Sequence, residues 1–264
     1  MHPKCRELQQ QKEEQVKFEL ECFDRIIELI PDGLKILEEI HVVKDGIRLF
    51  VRFMHKKASS ARADDTKALK KDITRYMPYD PANNVITPPL PICDGKYGKS
   101  TTRGFNHQAC AWALCPQCLL DDFDIDPKTF MENVRNRVIK IKERDFPAYL
   151  YDEAIPYDPD NKDAGLLQGH ALIRTYRHII TGPRTALNPR LIKAKNGRCK
   201  SEKIVLTRSD AYTIAYAVSQ EAADNWGPIL SSGYNLQDLY NRIVQFLADK
   251  EDPVVKAVME WYDK

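Results

Sequence analysis

Apolar side chains recur at helical spacing through most of the chain. Near its start, Val16, Leu20, Phe23, Ile27 and Ile30 follow one another at steps of four and three residues. That period aligns them on one stripe of a helix, with Glu13, Glu14, Lys17, Glu21 and Asp24 on the wet side. Pro31 and Gly33 interrupt the run, because proline removes a backbone donor and clashes with the preceding turn. The spacing resumes at Leu34 and Leu37. A stripe of about two heptads is shorter than a coiled coil needs. The pattern therefore predicts an N-terminal amphipathic helical pair, residues 1–57, that buries its stripes against the main body.

The second helix of the pair is expected from about Asp32 to Lys57, with a bend near Asp45-Gly46. A third is expected after Asp64-Asp65-Thr66, whose oxygens suit the orphan N–H groups and positive dipole end of a helix N-terminus. From Met77 to Gly104 five prolines (Pro78, Pro81, Pro88, Pro89 and Pro91) forbid a regular helix, which predicts a linker or a Pro-rich central strap across the core. Asp126-Pro127 opens the next helix, with Phe130, Val134, Val138 and Ile141 at helical spacing behind it. Leu166–Ile180 reads as a helix stopped by Thr181-Gly182-Pro183. Thr207 and Asp210 resemble a capping box opening Ser209–Ala223, with Ile214, Ala215 and Val218 inward. Asn235 caps Leu236–Ala248, carrying Leu239, Ile243, Phe246 and Leu247, and Pro253 starts a last helix with Val254, Val258 and Trp261. Only Ile204-Val205-Leu206 looks strand-like, too short for a sheet, and no internal repeat is read. The fold class is all-α: one multi-helix domain, its main part residues 58–264.

Composition narrows the class. With 264 residues, 43% of them apolar, and 40 basic against 38 acidic side chains, the chain can bury a core and is not intrinsically disordered. No apolar run approaches the roughly 18–20 residues of a bilayer span, so no membrane partner is expected. The opening stretch MHPKCRELQQQKEEQ lacks the apolar core of a signal peptide. Seven cysteines then read as reduced thiols in a cytoplasmic or nuclear protein, not a secreted one.

Charge is unevenly distributed. Between Leu166 and Arg208 lie Arg174, Arg177, Arg184, Arg190, Lys193, Lys195, Arg198, Lys200, Lys203 and Arg208, opposed only by Glu202, so 43 residues carry +9 and the other 221 carry −7. His170, Arg174 and Arg177 fall on adjacent turns of one helix face. Arginine forks bind phosphates in pairs of hydrogen bonds, and counterion release favours nucleic acid on such a surface. The competing reading folds this basic segment over the acidic remainder of the chain. No zinc-finger spacing, RNP aromatic pattern or basic zipper accompanies it.

Cys93, His107, Cys110, Cys115 and Cys118 fall within 26 residues, and Cys115-Pro116-Gln117-Cys118 has the spacing that lets two thiolates grip one zinc. Cys93 and His107 (or Cys110) would complete four ligands. A second pair at knuckle spacing is missing, and Ala109, Ala111, Trp112 and Ala113 make an apolar setting in which cysteine serves as a small hydrophobe. The reading favours core thiols, with no cofactor, over a zinc site. A Cys115–His107 nucleophile has no supporting signature. Asp121, Asp122, Asp124 and Asp126 lack the glycine and terminal Glu of an EF-hand loop and read as a solvated helix start.

Two stretches carry a family resemblance: Ala61-Arg62-Ala63-Asp64-Asp65-Thr66 with Leu69-Lys70, and Arg103-Gly104-Phe105-Asn106-His107 with Leu114-Cys115-Pro116. Looser likeness continues through Phe146–Tyr151, Gly165-Leu166-Leu167 and Tyr212–Ser219. Together they resemble an uncharacterised family of basidiomycete fungal proteins from roughly Lys44 onward. The resemblance implies a single named domain and a fungal origin, and brings no activity, cofactor or catalytic residue. Cys110 and Cys118 depart from its pattern, which points away from zinc. The expected function is a non-enzymatic protein that engages nucleic acid or another polyanion through the basic segment. The alternative is a protein-interaction module using the N-terminal helices, and the third an enzyme of unrecognised type.

Overall fold

A computed structural model describes residues 12–13, 16–17, 20, 23–28, 30–90, 103–188, 209–226 and 234–263, and among these every regular element is a helix. Two isolated bridges, Pro116 with Pro147 and Tyr151 with Leu166, are the sole β-type pairings among the described residues. The all-α class is as expected. No described helix is long and apolar enough to cross a membrane. Backbone contacts divide the chain into two units, Met1–Arg62 and Ala63–Lys264.

In the first unit, residues 23–28 are helical, α1 spans Gly33–His41, and α2 begins at Gly46 and runs on to Tyr76. Its joints share one device. Asp32 and Asp45 both take left-handed backbone (φ 57° and 60°), a conformation that Asp tolerates better than most residues. The following glycine then lies against the preceding helical turn. A Cβ on Gly33 would sit 2.4 Å from the Ile27 carbonyl oxygen, and one on Gly46 2.2 Å from that of Ile40. Residues 27–39 and 40–52 are two copies of one 13-residue pattern, with Asp-Gly aligned and the apolar positions matched except for Val51 opposite Glu38. This is a repeat the sequence reading missed. Of the expected stripe, Ile27 is buried at the first joint, while Val16, Leu20 and Phe23 stay exposed. Ile27 is thus the one position of that stripe buried among its described residues.

The break expected before Asp64 is absent, because α2 continues through it. Asp64-Asp65-Thr66 sits mid-helix, and its polar atoms serve tertiary contacts instead of a cap. The Tyr216 hydroxyl donates to Asp65 Oδ2 at 3.1 Å, and Thr66 Oγ1 donates to Gln220 Oε1 at 2.7 Å. Beyond them Leu69, Ile73 and Tyr76 form a buried stripe.

The rest of the second unit is built from short helices: α3 (Gln108–Leu114), α4 (Leu120–Ile125), α5 (Pro127–Arg135), α6 (His170–Ile180), α7 (Pro183–Ala186), α8 (Ala211–Trp226), α9 (Leu236–Phe246) and α10 (Pro253–Asp263). Three 3-10 turns, Gly104–Asn106, Gln117–Leu119 and Ala148–Leu150, link or flank them. α8 is central and packs on α9, α6 and α3. Its Ile214, Ala215, Ala217, Val218 and Ala222 are wholly buried. Small side chains at these positions let the neighbouring helices approach closely.

Caps explain most boundaries. Asp126 Oδ1 accepts from the Thr129 N–H, Asp210 Oδ1 from the Thr213 N–H, and Asn235 Oδ1 from the Gln237 N–H. The α8 cap is thus Asp210, while Thr207 and the strand-like Ile204-Val205-Leu206 lie outside the described residues. α5 ends at Arg135 because Arg137 turns left-handed (φ 61°), leaving Val138 72% exposed where a helical core position was expected. α6 starts at His170 and not at Leu166, since Leu167 has φ 62°. In α10, Tyr262 is buried where Trp261 was expected.

Residues 77–90 form the strap. Asp80 organises its first turn by accepting from the Ala82 N–H and the Asn83 side chain. Its carbonyls are held from beneath by His107, His170 and Arg174.

Candidate functional site

Beneath the strap the second unit forms an open cavity of about 460 Å³, within the range of small-molecule sites. The strap supplies one wall through Met77, Pro78 and Asn84–Thr87, α3 another through Gln108, Ala109, Trp112 and Ala113, and α4 contributes Phe123 and Asp124. Tyr149, Glu153, His170, Ala171 and Glu221 complete the lining.

A glycine brings the far side together. Gly169 donates its N–H to the Leu150 carbonyl, and a Cβ there would lie 2.0 Å from the Tyr149 carbonyl oxygen. Only a residue without a side chain lets the start of α6 press on the Ala148–Leu150 turn. The same turn anchors Tyr149, whose hydroxyl donates to the Val218 carbonyl at 3.0 Å. Burial, then the Glu221 charge, pushes that phenol well up.

His170 and Glu153 form the titratable pair of the site. His170 Nε2 lies 2.7 Å from the Met77 carbonyl oxygen, which can only accept, so Nε2 carries a proton. His170 Nδ1 lies 3.2 Å from Glu153 Oε1. Burial raises Glu153 and lowers His170, with Arg174 opposing the first shift and reinforcing the second. Both shifts run against the charged forms of the two groups, as burial dictates. The Tyr79 ring meets His170 edge-on at 5.4 Å.

Glu221 is 0% exposed, an acidic side chain within an otherwise apolar stretch of α8. Asp124 is exposed at the rim. Neither Lys nor Arg is found among the described residues that line the cavity.

The residues singled out in the sequence are placed differently. Arg174 shares a helix face with His170 and Arg177, as expected, but His170 and Arg174 meet the strap. Its guanidinium donates to the carbonyls of Tyr76, Pro78 and Tyr79 at 2.8, 2.5 and 2.8 Å. Arg177 is half-buried, its pKa lowered by that burial. Arg184 is exposed at α7. Arg190, Lys193, Lys195, Arg198, Lys200, Lys203 and Arg208 lie outside the described residues.

Of the proposed zinc ligands, Cys93 lies outside the described residues. His107 Nε2 donates to the Pro88 carbonyl at 2.8 Å, pinning the strap. Cys110 and Cys115 are buried and Cys118 is exposed. Burial pushes the Cys110 thiol up to about 11 and raises Cys115 further. No group of three or more candidate metal ligands converges among the described residues.

A protein-family model described as a family of unknown function (DUF6698) matches residues 56–264. The chain belongs to this family. The match takes in every described residue that lines the cavity. No curated protein and no solved structure matches the chain.

Sequence reading missed the cavity. His170 was grouped with a cationic face, while Glu153, Tyr149 and Trp112 carried no spacing signal. The one legible clue was Gln220-Glu221 inside the apolar Ala211–Ala223 run, since a charged residue on a central helix rarely sits there without a role.

Proposed function

We propose that this DUF6698 domain is a small-molecule-binding module whose site is the cavity beneath the strap. The carrying observation is the close approach of Glu153 and His170 on its wall, 3.2 Å apart, a pair whose burial displaces the two groups in opposite directions. Such pairs cluster at functional sites, and an apolar cavity with a few polar groups is the usual form of a ligand site. The test is a fragment screen by protein NMR on the full chain and on Ala109→Trp, which fills the cavity from α3. Hits lost in that variant support the reading. Hits that persist unchanged, or none at all, sink it.

A second reading retains polyanion binding. It is supported by the +9 charge over residues 166–208 and by the exposure of Arg184, and it rests on Arg184 and the basic residues from Arg190 to Arg208. Arg174 is withdrawn from that set, because backbone carbonyls already occupy its donors. Exposed Leu34, Val42, Val43 and Phe53 support a protein partner for the first unit. We also infer a fungal protein of the cytosol or nucleus, supported by the free thiols of Cys110, Cys115 and Cys118.

A further inference from the structure

The described lining of the cavity is selective in sign, and this points to a ligand class. Its ionisable members among the described residues are Asp124 at the rim, Glu153, His170 and Glu221 on the wall, and the Tyr149 phenol. Three of these five are carboxyl groups. The single basic one, His170, has Nε2 committed to the Met77 carbonyl and Nδ1 to Glu153. The nearest guanidinium in sequence, Arg174, is turned to the carbonyls of Tyr76, Pro78 and Tyr79 and is not part of the lining. An anion entering here would find no free cationic donor among the described lining residues. A cation would meet Glu153, whose side chain is 31% exposed. The rest of the wall is apolar or aromatic, with Trp112 and Phe123 lining it; aromatic faces favour organic cations and their hydrocarbon bodies.

We infer that the cavity takes a small organic ammonium with an apolar body, its charge directed to Glu153. The inference rests on the cavity being a ligand site. It has a protonic consequence. The groups that bear on Glu153 are His170 and Arg174 from α6, Asp152 beside it in the chain, and the arriving ligand. An ammonium at Glu153 stabilises the carboxylate. Binding therefore strengthens as pH rises through the raised Glu153 value, releasing a proton there, and levels off above it.

The experiment compares phenethylammonium, phenethyl alcohol and phenylacetate on the full chain, by NMR titration and by calorimetry in two buffers of different ionisation enthalpy. The ammonium is expected to bind about tenfold more tightly than the alcohol, the scale of one charge-assisted contact. Phenylacetate should bind more weakly than either. Below the pH at which affinity levels off, the calorimetric signal should shift with the buffer, reporting proton release, and Glu153→Gln should abolish that shift. Ala109→Trp should block the ammonium. If the alcohol or phenylacetate binds as tightly and Ala109→Trp blocks it, the cavity is a ligand site and the cation assignment is wrong. If none of the three binds at about 10 mM, a concentration that reveals even weak sites, the cation assignment falls, and the fragment screen decides the cavity separately.

Discussion

Arg174 Nη2 donates to the Tyr79 carbonyl at 2.8 Å, and its Nη1 serves the carbonyls of Tyr76 and Pro78. One guanidinium thus closes the C-terminal end of α2 and fixes the first residues of the strap. The last carbonyls of a helix lack intrahelical partners, and a cation there also meets the negative end of the dipole. Arg174→Ala should therefore cost about 2 kcal/mol of stability, the scale of hydrogen bonds to a charged group. Arg174→Lys should recover only part of it, since an ammonium cannot reproduce the planar fork. Urea denaturation of the three proteins checks this, and an unchanged midpoint in the alanine variant would remove Arg174 from the cap.

Gly169 sets the distance between α6 and the Ala148–Leu150 turn. An added Cβ meets Tyr149 oxygen at 2.0 Å, and the atoms it strikes are backbone, not the mobile end of a side chain. Gly169→Ala should cost about 3 kcal/mol, at the upper end of overpacking effects. Because His170 follows directly, the same variant should weaken any ligand bound beneath the strap. Denaturation and NMR titration read the two effects.

Much of the helical scaffold was legible because its signals are local. Asp126, Asn235 and Pro253 mark helix starts by side-chain chemistry that acts within a turn, and Gly182-Pro183 marks the stop of α6. The errors arose where distant contacts overrode local preference. Asp64-Asp65-Thr66 has the composition of a cap, yet Tyr216 and Gln220 engage it across more than 150 residues of sequence. Arg137 and Leu167 adopt left-handed backbone without being Gly, Asn or Asp, so nothing in their identity announces a helix end. The cavity was illegible for the same reason. Its carboxyl–imidazole pair joins Glu153 to His170 only after Gly169 and the strap bring them together.

The pH dependence of stability follows from that pair. Glu153 is raised above its ordinary 4.5, so the folded chain holds an extra proton above that value, and this contribution is lost as pH rises through the raised value. His170 is lowered below its ordinary 6.5, so its contribution is full above that value and lost as pH falls through the lowered one. In the wild type the two slopes oppose each other between the ordinary values. Glu153→Gln removes the first and leaves the second. The variant should lose more stability than the wild type between about pH 7 and about pH 5. Melting curves at the two pH values test the sign. A smaller loss in the variant contradicts the pairing.

The described thiols should separate by reactivity. Cys118 is exposed, whereas Cys110 and Cys115 are 0% exposed and their thiols are pushed up by burial. Thiolate is the reactive form. Brief iodoacetamide treatment near neutral pH should modify Cys118 and spare Cys110 and Cys115, with denaturant releasing both, as peptide mass mapping would show. Elemental analysis should find no stoichiometric zinc; one equivalent per chain would overturn the assignment of Cys115 as a core residue.

The polyanion reading makes its own prediction, separable from the cap formed by Arg174. Phosphate contacts by Lys and Arg lower affinity with salt, by a log–log slope of about −0.9 per phosphate neutralised on duplex DNA. Reversing charge at Arg190, Lys193, Lys195 and Arg198 should weaken retention on DNA, RNA and heparin alike and flatten that slope. Arg174→Ala should lower stability and leave the slope unchanged, since its donors are already engaged by Tyr76, Pro78 and Tyr79. The two variants thus divide the basic segment into a part that builds the fold and a part that meets phosphate. Salt-gradient chromatography beside thermal melting distinguishes the cases. If the wild type shows no salt-sensitive retention near about 50 mM salt, where such contacts are still strong, polyanion binding is excluded. If the fourfold reversal instead unfolds the chain, those four side chains neutralise the acidic remainder of their own protein, and the segment is an internal clasp.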